Sequence, residues 1–110
     1  MVYNIIIAPP ARRRLDMYIK YTATQLKNRQ AARSIRDDAK ETKLRLSNAA
    51  DTLKLCDNPI LAKYGYRKIH FSKHDFIMIY RINKNDVIVE GMFHELQDYE
   101  AVFVDELNLM

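Results

Sequence analysis

At 110 residues, with 48 % hydrophobic and 29 % charged side chains, the chain is sized for one small domain spanning 1–110 and can build a core without staples. Its single cysteine, Cys56, excludes an internal disulfide framework, and no apolar run reaches the length of a membrane span. The net charge of +4 is uneven: five of the 14 acids and no base follow His94, which leaves residues 1–94 with all 18 Lys and Arg against nine acids.

A basic body of this kind suits an anionic partner, either nucleic acid or an acidic protein, and solvated helix surface is the plain alternative. The acidic tail can also fold back onto the body. The first apolar run, Val2–Ala8, lacks a basic lead-in, so no secretory signal is expected and the cytoplasm is the expected compartment.

Val2–Ile7 reads as a strand, ended by Ala8-Pro9-Pro10 because proline cannot donate to a ladder. Proline is tolerated in the first helical turn, so a helix is predicted from near Pro10, with Leu15, Tyr18, Ile19, Thr22 and Leu26 on its apolar face. Arg12, Arg13 and Arg14 stand at the wrong end for the helix dipole, so they do not serve helix stability. Asn28 marks a break. A second helix is predicted over about Gln30–Leu53, with an apolar stripe at Ala32, Ile35, Ala39, Thr42, Leu46, Ala49 and Leu53. Its opposite side carries Arg29, Arg33, Arg36, Lys40 and Lys43. The two helices make a hairpin.

Cys56–Gly65 reads as a loop that holds Lys63. Three runs rich in Ile, Val, Phe and Tyr follow, at Arg67–Phe71, Phe76–Ile82 and Val87–Phe93. Their polar breaks predict a three-stranded antiparallel meander. Asp98 is placed to cap a short helix through Leu107, with Phe103 and Leu107 inward. The fold class is α+β in the order β-α-α-β-β-β-α.

Pairing Ile82 with Val87 puts Phe76, Met78, Tyr80, Val89 and Phe93 on an apolar core face. Ile77, Ile79, Arg81, Ile88, Glu90, Met92 and His94 then share a mixed face. The first hairpin has two registers. Pairing Phe71 with Asp75 brings Arg67 to the mixed face. Pairing Phe71 with Phe76 sends Arg67 to the core face and Lys68 and His70 to the mixed one.

No metal-ligand spacing, glycine-rich phosphate loop or serine elbow is present, so neither metal nor cofactor is expected. What remains is a set able to cleave RNA: Arg67, Arg81, His94, Tyr99 and Glu90. A base frees the 2′-hydroxyl, cations stabilise the phosphorane, and an acid protonates the leaving oxygen. His94 is the acid or base. Arg67 and Arg81 hold the phosphate in a forked geometry. Glu90 is a base or simply the partner of Arg81. Tyr99 stacks on a nucleobase, donates a proton or packs in the core. Lys63, Lys68, His70 and Lys73 are the candidate RNA-binding residues.

The N-terminal strand, the hairpin with Leu26, Asn28, Ala31 and Ala32 in an L-x-N-x-x-A-A pattern, and the stretch Tyr66–Glu100 together resemble RelE/ParE-type toxins of bacterial toxin–antitoxin modules. The resemblance covers nearly the whole chain. It implies a curled sheet with the helical hairpin on one side, a cognate antitoxin that wraps the toxin, and the bacterial cytoplasm. Its RelE branch implies a ribosome-dependent endoribonuclease acting on mRNA, and Arg67, Arg81, His94 and Tyr99 match the working positions. Its ParE branch implies a poison that binds DNA gyrase without cutting nucleic acid, and Tyr18–Leu26 (YIKYTATQL) looks ParE-like. Glu90 and Glu95 stand where the RelE pattern holds further bases. An inactivated, antitoxin-binding member is the third reading. The ribonuclease is slightly favoured on residue types, with gyrase binding as the alternative.

Overall fold

The computed structural model describes residues 2–108. Strand β1 (Asn4–Ile7) leads into helix α1 (Pro9–Thr24) and helix α2 (Arg29–Ala49). A short helix α3 (Pro59–Lys63) precedes strands β2 (Arg67–His70), β3 (Phe76–Asn83) and β4 (Asp86–His94), and helix α4 (Tyr99–Leu107) closes the chain. No helix among the described residues is long and apolar enough to cross a membrane.

The local reasons are visible in the caps. Pro9 starts α1 with its preset φ. The Asn28 side chain accepts the Ala31 N–H at 2.9 Å and so caps α2. Leu26 lies past the end of α1 and is exposed, not on the core face expected for it. Helix α2 stops at Ala49 and tightens into a 3-10 turn over Ala50–Thr52, which places Ala50 rather than Leu53 in the core. The region expected as a loop contains α3, because the Asn58 side chain accepts from Ile60 and Leu61 while Pro59 sits in the first turn. The Asp98 side chain makes no cap hydrogen bond to α4, against expectation.

The sheet order is β1-β4-β3-β2. β1 runs parallel to β4, and the other neighbours are antiparallel. The second hairpin pairs Ile82 with Val87 as expected, over a two-residue turn in which Lys84 takes φ +57°. The first hairpin takes the register in which Arg67 pairs with Tyr80 and Lys68 with Ile79.

A β-bulge changes the faces. Tyr80 pairs with Val89 but Ile79 pairs with Gly91, so Glu90 is an extra residue in β4. Beyond it every side chain of β4 is out of phase with the simple alternation. Met92 pairs with Met78, Phe93 with Ile77 and His94 with Phe76. The expected faces are therefore wrong for the end of β4: Met92 and His94 belong with the first core, and Phe93 with the second.

Both faces are buried. On one, Leu15, Ile19, Ile35, Ala39 and Leu46 of the helical hairpin pack against Met78, Tyr80, Val87, Val89 and Met92. On the other, Phe103 and Val104 of α4 join Leu61, Cys56 and Tyr66 over Ile77, Ile79 and Phe93. The face expected to be mixed is thus largely a second core. Gly91 makes it possible, since a Cβ there would lie 2.8 Å from Phe93 Cε2 and 3.2 Å from Phe103 Cδ1.

Candidate functional site

The bulge decides where the predicted site residues go. Arg81 lies on the α4 side of the sheet, paired with Ile88. Its Nε donates to Glu90 Oε2 at 2.5 Å, and the Tyr66 hydroxyl donates to the same oxygen at 3.2 Å. The hydrogen bond to Glu90 holds the Arg81 guanidinium above its ordinary pKa. Burial first, and then the Glu90 charge, push the Tyr66 phenol up to about 12. Glu90 is therefore the bridging anion of a neutralised cluster.

His94 is on the opposite side. Its ring meets Phe76 edge-on at 5.4 Å, and its Nδ1 accepts the Leu96 N–H at 3.2 Å. Arg67 is also on that side of the sheet, where its guanidinium donates to the Leu53 carbonyl. The single face expected to hold Arg67, Arg81 and His94 does not form. Arg81 stands alone of the three on its side.

Lys68 and Tyr99 do come together, but in a latch. Lys68 Nζ donates to Glu100 Oε2 at 2.8 Å, to Asp57 Oδ2 at 3.2 Å and to the Tyr99 hydroxyl at 3.2 Å. Burial works against the Lys68 ammonium, but these partners outweigh it and hold its pKa above the ordinary value. Glu100 also accepts the Asn58 N–H at 2.7 Å, so one carboxylate ties α4 to both β2 and α3. Tyr99 stacks on Phe93 with centroids 6.4 Å apart.

Of the remaining candidates, His70 is exposed and its Nδ1 lies 3.1 Å from Glu95 Oε1. Lys63 is exposed at the end of α3. Lys73 is exposed in the β2–β3 turn, and its backbone N–H donates to Asp38. His70 pairs with Ile77 and so shares the sheet side of Arg81. The acidic tail does fold back on the basic body, through Glu95, Glu100 and Glu106.

Three features lay outside the sequence reading. Arg14 donates to Glu106 Oε1 at 2.5 Å and sits 4.6 Å from the centre of the Phe93 ring. It fills the edge of β4 that the four-residue β1 leaves without a strand neighbour. Asp38 is buried and accepts from Lys73 N–H at 2.8 Å, Ser72 N–H at 3.2 Å and His74 Nδ1 at 2.8 Å. Its place on the α2 stripe, between Ile35 and Thr42, was the signal for it. The third is an apolar groove of about 620 Å3 between α1 and the open end of the sheet, lined by Met17, Tyr18, Tyr21, Leu26, Phe76 and His94. Met17, Tyr21 and Leu26 are each more than half exposed. Among the described residues no three His, Cys, Asp or Glu side chains gather as a metal would require.

A helical hairpin on one side of a four-stranded sheet, with a short helix on the other, matches a ParE-like fold. The family described as the ParE toxin of the type II toxin–antitoxin system, parDE, matches residues 5–99, and the chain belongs to it. A solved structure titled as a chromosomal ParDE TA system from P. aeruginosa superposes with a TM-score of 0.68 at 14 % identity. The match covers 84 % of this chain and 96 % of that one, and at this identity it speaks to the fold. No curated protein sequence matches.

Proposed function

We propose that this toxin acts by binding DNA gyrase, and that residues 1–110 work as one cytoplasmic unit neutralised by a cognate antitoxin. Membership of the ParE family supports this reading over the ribonuclease. The observation that carries it is the bulge at Glu90. It puts His94 and Arg81 on opposite sides of the sheet, while Glu90, which also accepts from Tyr66, occupies the Arg81 guanidinium and Glu100 occupies Lys68. A phosphoryl transfer needs its acid, base and cations around one phosphate, and Arg81 and His94 on opposite sides of the sheet do not face one. A toxin that works by contact needs a protein-binding surface instead, and the exposed Met17–Tyr21–Leu26 groove has that character.

The test is a supercoiling assay with purified gyrase, run beside primer extension on message being translated in a cell-free extract. Loss of supercoiling with intact message is expected. Discrete cuts in ribosome-bound message that vanish in both Arg81→Ala and His94→Ala, with supercoiling untouched, would return the function to RNA cleavage.

A further inference from the structure

The outer face of the helical hairpin has a chemistry that neither core nor latch uses. A groove of about 520 Å3 lies between α1 and α2 near their shared turn, and a second hollow continues it toward β1. Along the α2 wall run Arg29, Arg33, Arg36, Lys40 and Lys43. Steps of four and three residues keep them in one line, roughly 21 Å long at about 1.5 Å per residue. Arg12 and Lys20 of α1 line the same groove, and Asp16 is the one acid in its walls.

Among the described residues none of these cations forms an ion pair, although Arg14, Lys68 and Arg81 all do. Like charges three and four residues apart weaken a helix, so an anion laid along the line would relieve repulsion that Asp16 in the groove and Asp37 and Glu41 beside Arg33 offset only in part. Leu15, Ile19, Ala32 and Ala39 form the buried floor, and the cations stand on the walls above it. No aromatic side chain lines it, so unpaired bases have nothing to stack on.

We propose that this groove binds the phosphate backbone of duplex DNA, independently of the surface that meets a protein. A rigid polyanion with regular charge spacing fits an extended line of cations, and it needs neither an apolar anchor nor base contacts. The choice of DNA over an RNA duplex rests on the gyrase reading, since gyrase holds DNA beside any toxin seated on it.

The experiment is fluorescence anisotropy of a labelled duplex of about 20 bp with the full chain, titrated across salt. Seven cations against Asp16 predict a slope of log affinity against log salt near −5, at about −0.9 per phosphate neutralised. Arg33→Gln/Arg36→Gln/Lys40→Gln is expected to reduce that slope by about three. The charge-matched Lys54→Gln/Lys63→Gln/Lys84→Gln, none of which lines the groove, should leave it nearly unchanged. Equal losses in the two triple variants would reduce the effect to net charge and overturn the site. So would absence of binding at low salt, tighter binding of an A-form RNA duplex, or binding of polyglutamate in place of DNA. The assay contains no gyrase, so its failure and a failure of the supercoiling assay are read separately.

Discussion

Replacing Asp38 with alanine should cost about 2–3 kcal/mol, on the following grounds. The carboxylate is 1 % exposed and accepts three hydrogen bonds that pin the β2–β3 turn to α2. Bonds to a charged acceptor contribute roughly 1.5–3 kcal/mol each, and burying the charge offsets a large share of their sum. Ser72 and Lys73 are exposed, so water can take up their N–H groups in the variant, which keeps the loss below the roughly 3–5 kcal/mol of a broken buried pair. For a chain of this length about 1 kcal/mol corresponds to roughly 4 °C in Tm, so Asp38→Ala should melt about 8–12 °C lower at pH 7. The pH dependence has a definite sign. Burial alone would raise the Asp38 pKa, but the bonds from His74, Lys73 and Ser72 outweigh it and hold the group below its ordinary value. A carboxylate depressed by folding contributes its stability above the unfolded pKa, about 3.9, and loses it as pH falls through the folded value. Thermal melts of wild type and Asp38→Asn should therefore converge below about pH 4. A gap of equal size at pH 3 and pH 7, or no gap at pH 7, would refute the argument.

Gly91→Ala puts a methyl against Phe93, Ile79 and Phe103 and should lose about 1–3 kcal/mol by overpacking, read from urea unfolding; an unchanged midpoint would mean that the second core is loosely packed. Glu100→Gln should weaken the hold of α4 on Lys68 and Asn58 by roughly 1–3 kcal/mol, seen as faster amide exchange in α4 while α2 keeps its protection. Tyr21→Glu should leave Tm within a few degrees, because the side chain is 55 % exposed, yet weaken gyrase inhibition about tenfold or more. Arg81→Ala, on the other side of the sheet from the groove that Tyr21 lines, should keep its toxicity in growth assays, and loss at unchanged fold would count against gyrase binding.

The element order was legible because each element has a local cause. The period of the α2 stripe, the prolines before α1 and the β-rich runs after Gly65 are all short-range signals, and the Ile82–Val87 pairing followed from the turn. The faces at the end of β4 were not, because one bulged residue moves every later side chain across the sheet. Gly91 inside an apolar run was the cue, and it passed as ordinary strand. Within the expected loop Cys56–Gly65, Asn58-Pro59 is a cap followed by a first-turn proline. The parallel pairing of β1 with β4 has no local signature, since the two are joined only in space. The placement of Arg81 and His94 was not legible for the same reason as the faces: residue types can be read from the sequence, but which side of the sheet each one reaches depends on the bulge.

The partnership between β1 and β4 also has a consequence in time. Asn4 and Asp86 stand 82 residues apart in the chain and side by side in the sheet. During synthesis at about 5–20 residues per second, β1 waits roughly 4–16 s for its neighbour. Until then the helical hairpin has no sheet to cover, and its apolar stripe stays open to the solvent. Contacts this distant also slow the final closure. A nascent chain of this toxin therefore carries an unfinished fold through most of its own synthesis, with the helical hairpin made long before the strand that completes its sheet.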